Sequence, residues 1–302
     1  MKIYKNFKIE KKFQNSAIAI GNFDGFHLGH QKVINQGKLI AKKYNLKFGL
    51  LVFHPLPIMF FNKKLKNYRI DSLNQKILSS KKYGSDFLII KKFNEKFSNI
   101  SSENFIKEII YKKLKVKLIF ISKNFRFGKN RAGDIKLLKK KEVFFKYKTK
   151  TITPLNKKNL TVSSTLIRNK IKNGKIEYAN KLLGRSWTIE GKVQRGDRRG
   201  RTIGFPTCNI DIKNYIVPKL GVYSAKILIG NKTKKKGIVN VGYRPTFGKK
   251  KLILEAHIFG FNKNLYDKRI KIMLIKFIRG EKRFKNILEL KKQIKKDIKD
   301  AK

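Results

Sequence analysis

"AIAIGNFDGFHLGH" (residues 17–30) passes from a four-residue apolar run into a glycine-containing loop and on toward a helical pattern. The decapeptide 21–30 holds Gly21, Gly25 and Gly29 and two of the chain's four histidines, His27 and His30. A strand that turns through a glycine loop into a helix start is an anion site, because backbone N–H groups point outward there and the helix dipole favours phosphate. Two histidines three apart at that start can both face the anion and donate hydrogen bonds as charge builds on phosphorus. A metal pair would need a third ligand, and no nearby cysteine or carboxylate cluster supplies one.

Working outward, "HQKVINQGKLIAKKYN" has helical spacing, with Val33, Ile34, Leu39 and Ile40 expected on one side. FGLLVF (48–53), FLII (87–90) and KLIFI (117–121) read as buried strands, with helices over 72–82 and 102–114 between them. Strand and helix alternating in this way predict a parallel, Rossmann-like sheet with helices on both faces. Residues 163–183 read as largely helical, with Gly174 a candidate break and Gly184 the stop. Beyond Gly184, short β-rich pieces such as WTIEGKVQ, GVYSAKILIG and KIMLIKFI alternate with glycine turns, which predicts a small antiparallel barrel. The last stretch predicts an amphipathic helix with Ile287, Leu290, Ile294 and Ile298 on one face. The domain boundary is therefore expected between 184 and 185, giving domains 1–184 and 185–302.

The 302 residues suit two domains, and 41% hydrophobic content allows real cores. The lone Cys208 excludes a disulfide framework and fits a reducing compartment. The first residues contain no apolar stretch of signal-peptide length, and no run is long enough to span a bilayer, so a soluble cytoplasmic protein without a membrane partner is expected. The net charge of +56 raises a nucleic-acid reading. Only 13 of the 75 basic residues are arginine, however, and the lysines are spread evenly, as codon bias in an AT-rich genome would leave them. Specific nucleic-acid binding is not expected. In so lysine-rich a chain an arginine points to a need for its fork. Five of them, Arg185, Arg195, Arg198, Arg199 and Arg201, fall within seventeen residues.

Three blocks of the first domain, "GNFDGFHLGH" (21–30), "ISKNFRFGKNRAGD" (121–134) and "VSSTLIR" (162–168), together resemble the bacterial bifunctional riboflavin kinase/FMN adenylyltransferase (FAD synthetase) family. "GNFDGFHLGH" resembles its His-x-Gly-His nucleotidylyltransferase motif, "ISKNFRFGKNRAGD" (121–134) its second block, and "VSSTLIR" (162–168) its Ser-Ser-Thr-x-x-Arg block. The resemblance implies that ATP is held by Gly21, Phe23, Asp24, Gly25 and Gly29 with His27 and His30. It adds Asn124 and Arg126 from the second block and Ser164, Thr165 and Arg168 from the third. One departure is visible: a Phe-Glu-Pro-His-Pro-like stretch reads "FHPLP" here, with His54 at the acid position and Leu56 at the histidine position. It implies a tuned or weakened nucleotide pocket, and its extreme form would be a kinase with a degenerate first domain.

In the second domain, "GRSWTIEGKVQRGDRRGRTIGFPTCNI" (184–210) resembles the riboflavin kinase signature, with Cys208 in place of an alanine. By that resemblance Thr207 and Asn209 bind Mg²⁺ and ATP phosphates, and hard oxygen ligands suit that ion. Gly196, Arg199, Gly200, Arg201, Gly204 and Pro206 form the turn around them, and Gly221 and Tyr223 lie in a flavin-side segment. The catalytic glutamate maps to Glu255 in "LILEAHIFGF". Asn262, Asn264 and Asp267 depart from the usual residues of the following loop. The implied substrates and products are riboflavin, FMN, FAD and ATP. The kinase step needs a carboxylate base because a ribityl hydroxyl is a poor nucleophile. The adenylyl step needs none, because the FMN phosphate is already an anion; there His27 and His30 would act by charge stabilisation and alignment.

Overall fold

The computed structural model describes residues 1–157, 160–195, 199–230, 233–246 and 249–302. Its contacts divide the chain into two compact units, residues 1–66 with 73–163 and residues 67–72 with 164–302.

The first unit is a parallel sheet of six strands: β1 (Lys2–Tyr4), β2 (Ala17–Ile20), β3 (Phe48–His54), β4 (Phe87–Lys92), β5 (Leu118–Ile121) and β6 (Lys148–Thr151). Their order is β1–β4–β3–β2–β5–β6, and every pairing is parallel. The order in which strands are added reverses at β2, where β3 lies on one side and β5 on the other, and such a switch point is where open α/β sheets bind ligands. Side chains alternate across the sheet, so Ile18, Ile20 and Leu51 join one core while Ala17, Ala19 and Leu50 join the other. Burial on both faces explains why β2 reads as uninterrupted apolar sequence.

Helix α1 (Leu28–Lys43) covers the second core through Ile34 and Ala41. Leu39, expected on its inner side, is 65% exposed. At 3.6 residues per turn it lies about 140° around the helix from Ile34. Helix α2 (Leu73–Lys82) follows the excursion of 67–72 into the other unit. The helix expected over 102–114 is one α-turn, Ser102–Asn104, that continues π-wound through Phe105–Lys113.

The second unit begins with two helices, α3 (Ser164–Lys172) and α4 (Ile176–Leu183), separated at Gly174 and ended at Gly184, both at positive φ. Six strands then close an antiparallel barrel: β7 (Trp187–Gln194), β8 (Cys208–Asp211), β9 (Gly221–Ile229), β10 (Thr233–Thr246), β11 (Lys249–Ile258) and β12 (Arg269–Arg279). Their order around the barrel is β8–β11–β10–β9–β12–β7. β7 alternates inward Trp187, Ile189 and Val193 with outward polar residues, the period that buries one face of a strand.

Residues 67–72 are threaded into this unit. Arg69 bridges Tyr215, the Trp187 indole N–H donates to the Ile70 carbonyl, and Asp71 pairs with Arg185. One member of the arginine cluster is therefore held by a buried carboxylate. Helix α5 (Ile287–Ala301) packs on β9, β10 and β12. Its expected apolar face is only partly used, because Ile287 is 60% exposed. The helix is anchored by the buried Asp297, whose carboxylate takes hydrogen bonds from Arg279 Nε at 2.8 Å and Nη2 at 2.7 Å.

Candidate active sites

At the C-terminal end of β2 the loop 21–27 turns sharply. Phe23 and Phe26 have φ of 44° and 41°, and Gly25 lies at 87°. A left-handed backbone at a non-glycine residue costs roughly 1–3 kcal/mol, strain of the kind that collects at functional sites. Phe23, Asp24 and Phe26 are all buried. His27 caps α1: its Nδ1 accepts the His30 backbone N–H at 3.4 Å. A neutral imidazole that accepts at Nδ1 carries its proton on Nε2, so the far edge of His27 is a donor. The His27 and His30 rings stack at 3.7 Å, and Phe23 lies 5.0 Å from His30. A Cβ on Gly29 would meet the His27 ring and the Val162 carbonyl at 3.1 Å, so glycine permits this stacking.

The expected partners are distributed as follows. Asn124 and Arg126 are exposed in the loop after β5, and Arg126 pairs with Asp134 at 3.1 Å. The Asp134 carboxyl is held below its usual range, first by the Leu137 N–H that it caps and then by Arg126. Ser164, Thr165 and Arg168 lie in the first turns of α3, in the second unit. There the buried Arg168 stacks its guanidinium 3.9 Å from the Tyr68 ring centre and donates from Nε to the Tyr68 carbonyl. His54 ends β3, half-buried, and Leu56 is buried just after it.

In the barrel, the register sets Asn209 of β8 and Asn240 of β10 directly opposite Glu255 of β11. Directly opposed residues share a face. Their neighbours Leu254, Ala256, Val239 and Val241 are buried inside, so the Asn209–Glu255–Asn240 row faces outward. Asn209 is 8% exposed, and its Oδ1 has no hydrogen-bond partner among the described residues. A buried acceptor without a donor costs about 1–3 kcal/mol, a cost that a cation or donor at that point removes. A Cβ on Gly200 would meet the Phe205 carbonyl at 2.5 Å and Thr207 Oγ1 at 3.3 Å, so this glycine lets the turn fold against the Thr207 side of the row. Pro206 offers its carbonyl to His257 Nδ1 at 2.8 Å.

Burial pushes the Cys208 thiol up to about 11. Gly221 lies at φ 137° against the Arg279 carbonyl. Tyr223 is fully buried, its ring edge-on to Phe277 and its hydroxyl donated to the Lys219 carbonyl, and burial pushes its phenol up. Arg201 and Gly204 belong to the turn before β8, Gly204 at φ 88°. Gly196 lies outside the described residues, as does the side chain of Arg199.

Sequence reading passed over two residues that stand at these sites. Asn240 flanks Glu255 only through strand register. Among the described residues of the first unit Lys76 is the buried lysine, and its Nζ donates to the Asn22 carbonyl at 2.7 Å. Neither position carries a local signal.

Comparison with known proteins covers both units. The FAD synthetase family matches residues 9–166 and the riboflavin kinase family residues 183–302. A bifunctional riboflavin kinase/FMN adenylyltransferase from Buchnera aphidicola subsp. Schizaphis graminum is 42% identical, covering 99% of this chain and 97% of its own length. The bifunctional riboflavin kinase/FMN adenylyltransferase of Bacillus subtilis is 38% identical, covering 97% of this chain and 93% of its own. Among solved structures, one described as a macrolide-efflux protein from Streptococcus pneumoniae superimposes with a TM-score of 0.86 at 27% identity, over 99% of this chain and 97% of that one. No described helix of the present chain is long and apolar enough to cross a membrane.

Proposed function

The chain belongs to the bifunctional riboflavin kinase/FMN adenylyltransferase family, and from that premise we propose how its two sites divide the work. It is a transferase that phosphorylates riboflavin with ATP to FMN and then adenylylates FMN with a second ATP to FAD. The carrying observation is that both families match in order along one chain that its bifunctional relatives cover almost from end to end.

In our reading residues 1–184 carry adenylyl transfer and residues 185–302 the kinase. Glu255 takes the proton of the ribityl hydroxyl as its oxygen attacks the γ-phosphorus and the bond from that phosphorus to the departing ADP breaks, a hydroxyl being too weakly acidic to react unaided at neutral pH. Asn209 and Thr207 would hold Mg²⁺, which would neutralise charge on the ATP phosphates; the unpartnered, buried Asn209 Oδ1 is the atom that fits it.

In the other domain the FMN phosphate oxygen attacks the α-phosphorus of ATP, and the bond to pyrophosphate breaks. The nucleophile is already anionic, so His27 and His30 donate hydrogen bonds to the phosphate oxygens as charge moves to the leaving group. Gly21, Phe23, Asp24, Gly25 and Gly29 shape the loop, and Asn124 and Arg126 of the same unit add phosphate contacts; Ser164, Thr165 and Arg168, which the family resemblance also gives to ATP, belong to the second unit. The reducing cytoplasm suits the free Cys208.

The test is direct: incubate the purified protein with riboflavin, ATP and Mg²⁺, and separate the flavins by chromatography. FMN followed by FAD is expected. A chain that stops at FMN has a degenerate first domain, traceable to His54 and Leu56, and one that leaves riboflavin untouched refutes the reading.

A further inference from the structure

In a chain with 75 lysines and arginines, Lys76 is the lysine that is buried among the described residues, 3% exposed on α2. Desolvating an ammonium is costly unless it meets strong acceptors. One acceptor is the Asn22 carbonyl, 2.7 Å from Nζ, in the loop that leads to His27. Two residues of this loop, Phe23 and Phe26, stand at positive φ, a state that persists only where the surroundings enforce it. In a trans peptide the C=O and N–H point in opposite directions. Drawing the Asn22 carbonyl back toward α2 therefore turns the Phe23 N–H away from Lys76.

We propose that Lys76 is a positioning residue for adenylyl transfer: its ammonium pins the Asn22 carbonyl and so aims the Phe23 amide and the loop at the ATP triphosphate. This rests on the assignment of adenylyl transfer to the first domain. Lys76 acts through the loop and stays off the reacting atoms. Misplacing donors by about 1 Å costs on the order of 10²-fold in rate.

The test uses the full chain. Lys76→Met removes donor and charge; Lys76→Arg keeps both on a longer fork. FAD formation from supplied FMN is measured against ATP concentration, FMN formation from riboflavin is measured on the same preparation, and a melting curve is recorded. For Lys76→Met, adenylylation should fall about 10²-fold, with a raised KM for ATP in that step alone. FMN formation should be unchanged, and Lys76→Arg should recover part of the loss. A purely structural lysine would lower the melting temperature while leaving the KM of the folded fraction at its wild-type value. Adenylylation by folded Lys76→Met within about twofold of wild type overturns the proposal, as does a loss that only tracks the unfolded fraction.

Should Lys76→Met fail to fold, Lys76→Gln, which keeps a donor without the charge, is read the same way. Hydrogen exchange over residues 21–27 in the wild-type chain is an independent check: ATP should protect these amides, and unchanged exchange refutes the proposal. A wild-type chain that makes no FAD at all overturns the underlying assignment instead, and the two failures are told apart by that control.

Discussion

The two units would build the phosphate chemistry we propose from opposite materials. In the first, a parallel sheet gathers strand ends and a helix start at one edge, and the site is a strained loop, two stacked imidazoles and backbone amides. In the second, antiparallel strands close into a continuous wall, and the site is a row of side chains, Asn209, Glu255 and Asn240, carried across three strands by register. The difference follows the nucleophile. A phosphate arrives ionised and asks only for alignment and charge stabilisation, which loop amides and histidines supply. A hydroxyl must lose a proton, so it needs a carboxylate held in place, and a strand in a closed barrel holds one more firmly than a loop does.

The largest effect should come from Glu255→Gln, which keeps the side chain's size and removes the basic oxygen. Riboflavin phosphorylation should slow by roughly 10²–10⁴ with little change in KM, while adenylylation of supplied FMN continues at the wild-type rate. Normal turnover with a lowered melting temperature would take Glu255 out of the mechanism and erase the contrast. His30→Ala is the mirror experiment. It should reduce FAD formation by about 10²–10³, the usual cost of one lost donor to transition-state charge, and leave FMN formation intact. A folded variant that loses both products would show that the sites are not separate.

Asp71→Ala sharpens the comparison from the stability side, since it strips the buried Arg185 contact of residues 67–72. Removing one partner of a buried pair costs about 3–5 kcal/mol, so the denaturation midpoint should drop while both activities per folded molecule stay near normal. An unchanged midpoint would mean that these residues are passengers on the barrel unit. The smallest effect concerns Cys208, inside the kinase motif but pushed up to about 11 by burial. Its thiolate is scarce at pH 8 because the folded thiol gives up its proton only near 11, so alkylation by iodoacetamide should be slow at pH 8 and rise about tenfold per pH unit up to about 11. Cys208→Ala should leave kinase turnover within about twofold of wild type. Rapid labelling at pH 7 would show an open, reactive thiol instead.

Local sequence determined a good deal. The apolar run of β2, the glycine loop and the capping His27 are short-range features, each fixed by backbone sterics and hydrogen bonding within a few residues. The alternation of β7 and the stops at Gly174 and Gly184 are legible for the same reason. Tertiary structure alone decided the rest. Residues 67–72 look like an ordinary loop, yet they pack with Trp187, Arg185 and Tyr215 more than a hundred positions later. Lys76 is one lysine among many until folding sets it 2.7 Å from the Asn22 carbonyl. Asn240 faces Glu255, and Asp297 meets Arg279, only once strand register and helix docking are set. Periodicity and turn chemistry are written in neighbouring residues. Register, and the burial of a charge against a distant partner, are settled by the free energy of the whole packed unit.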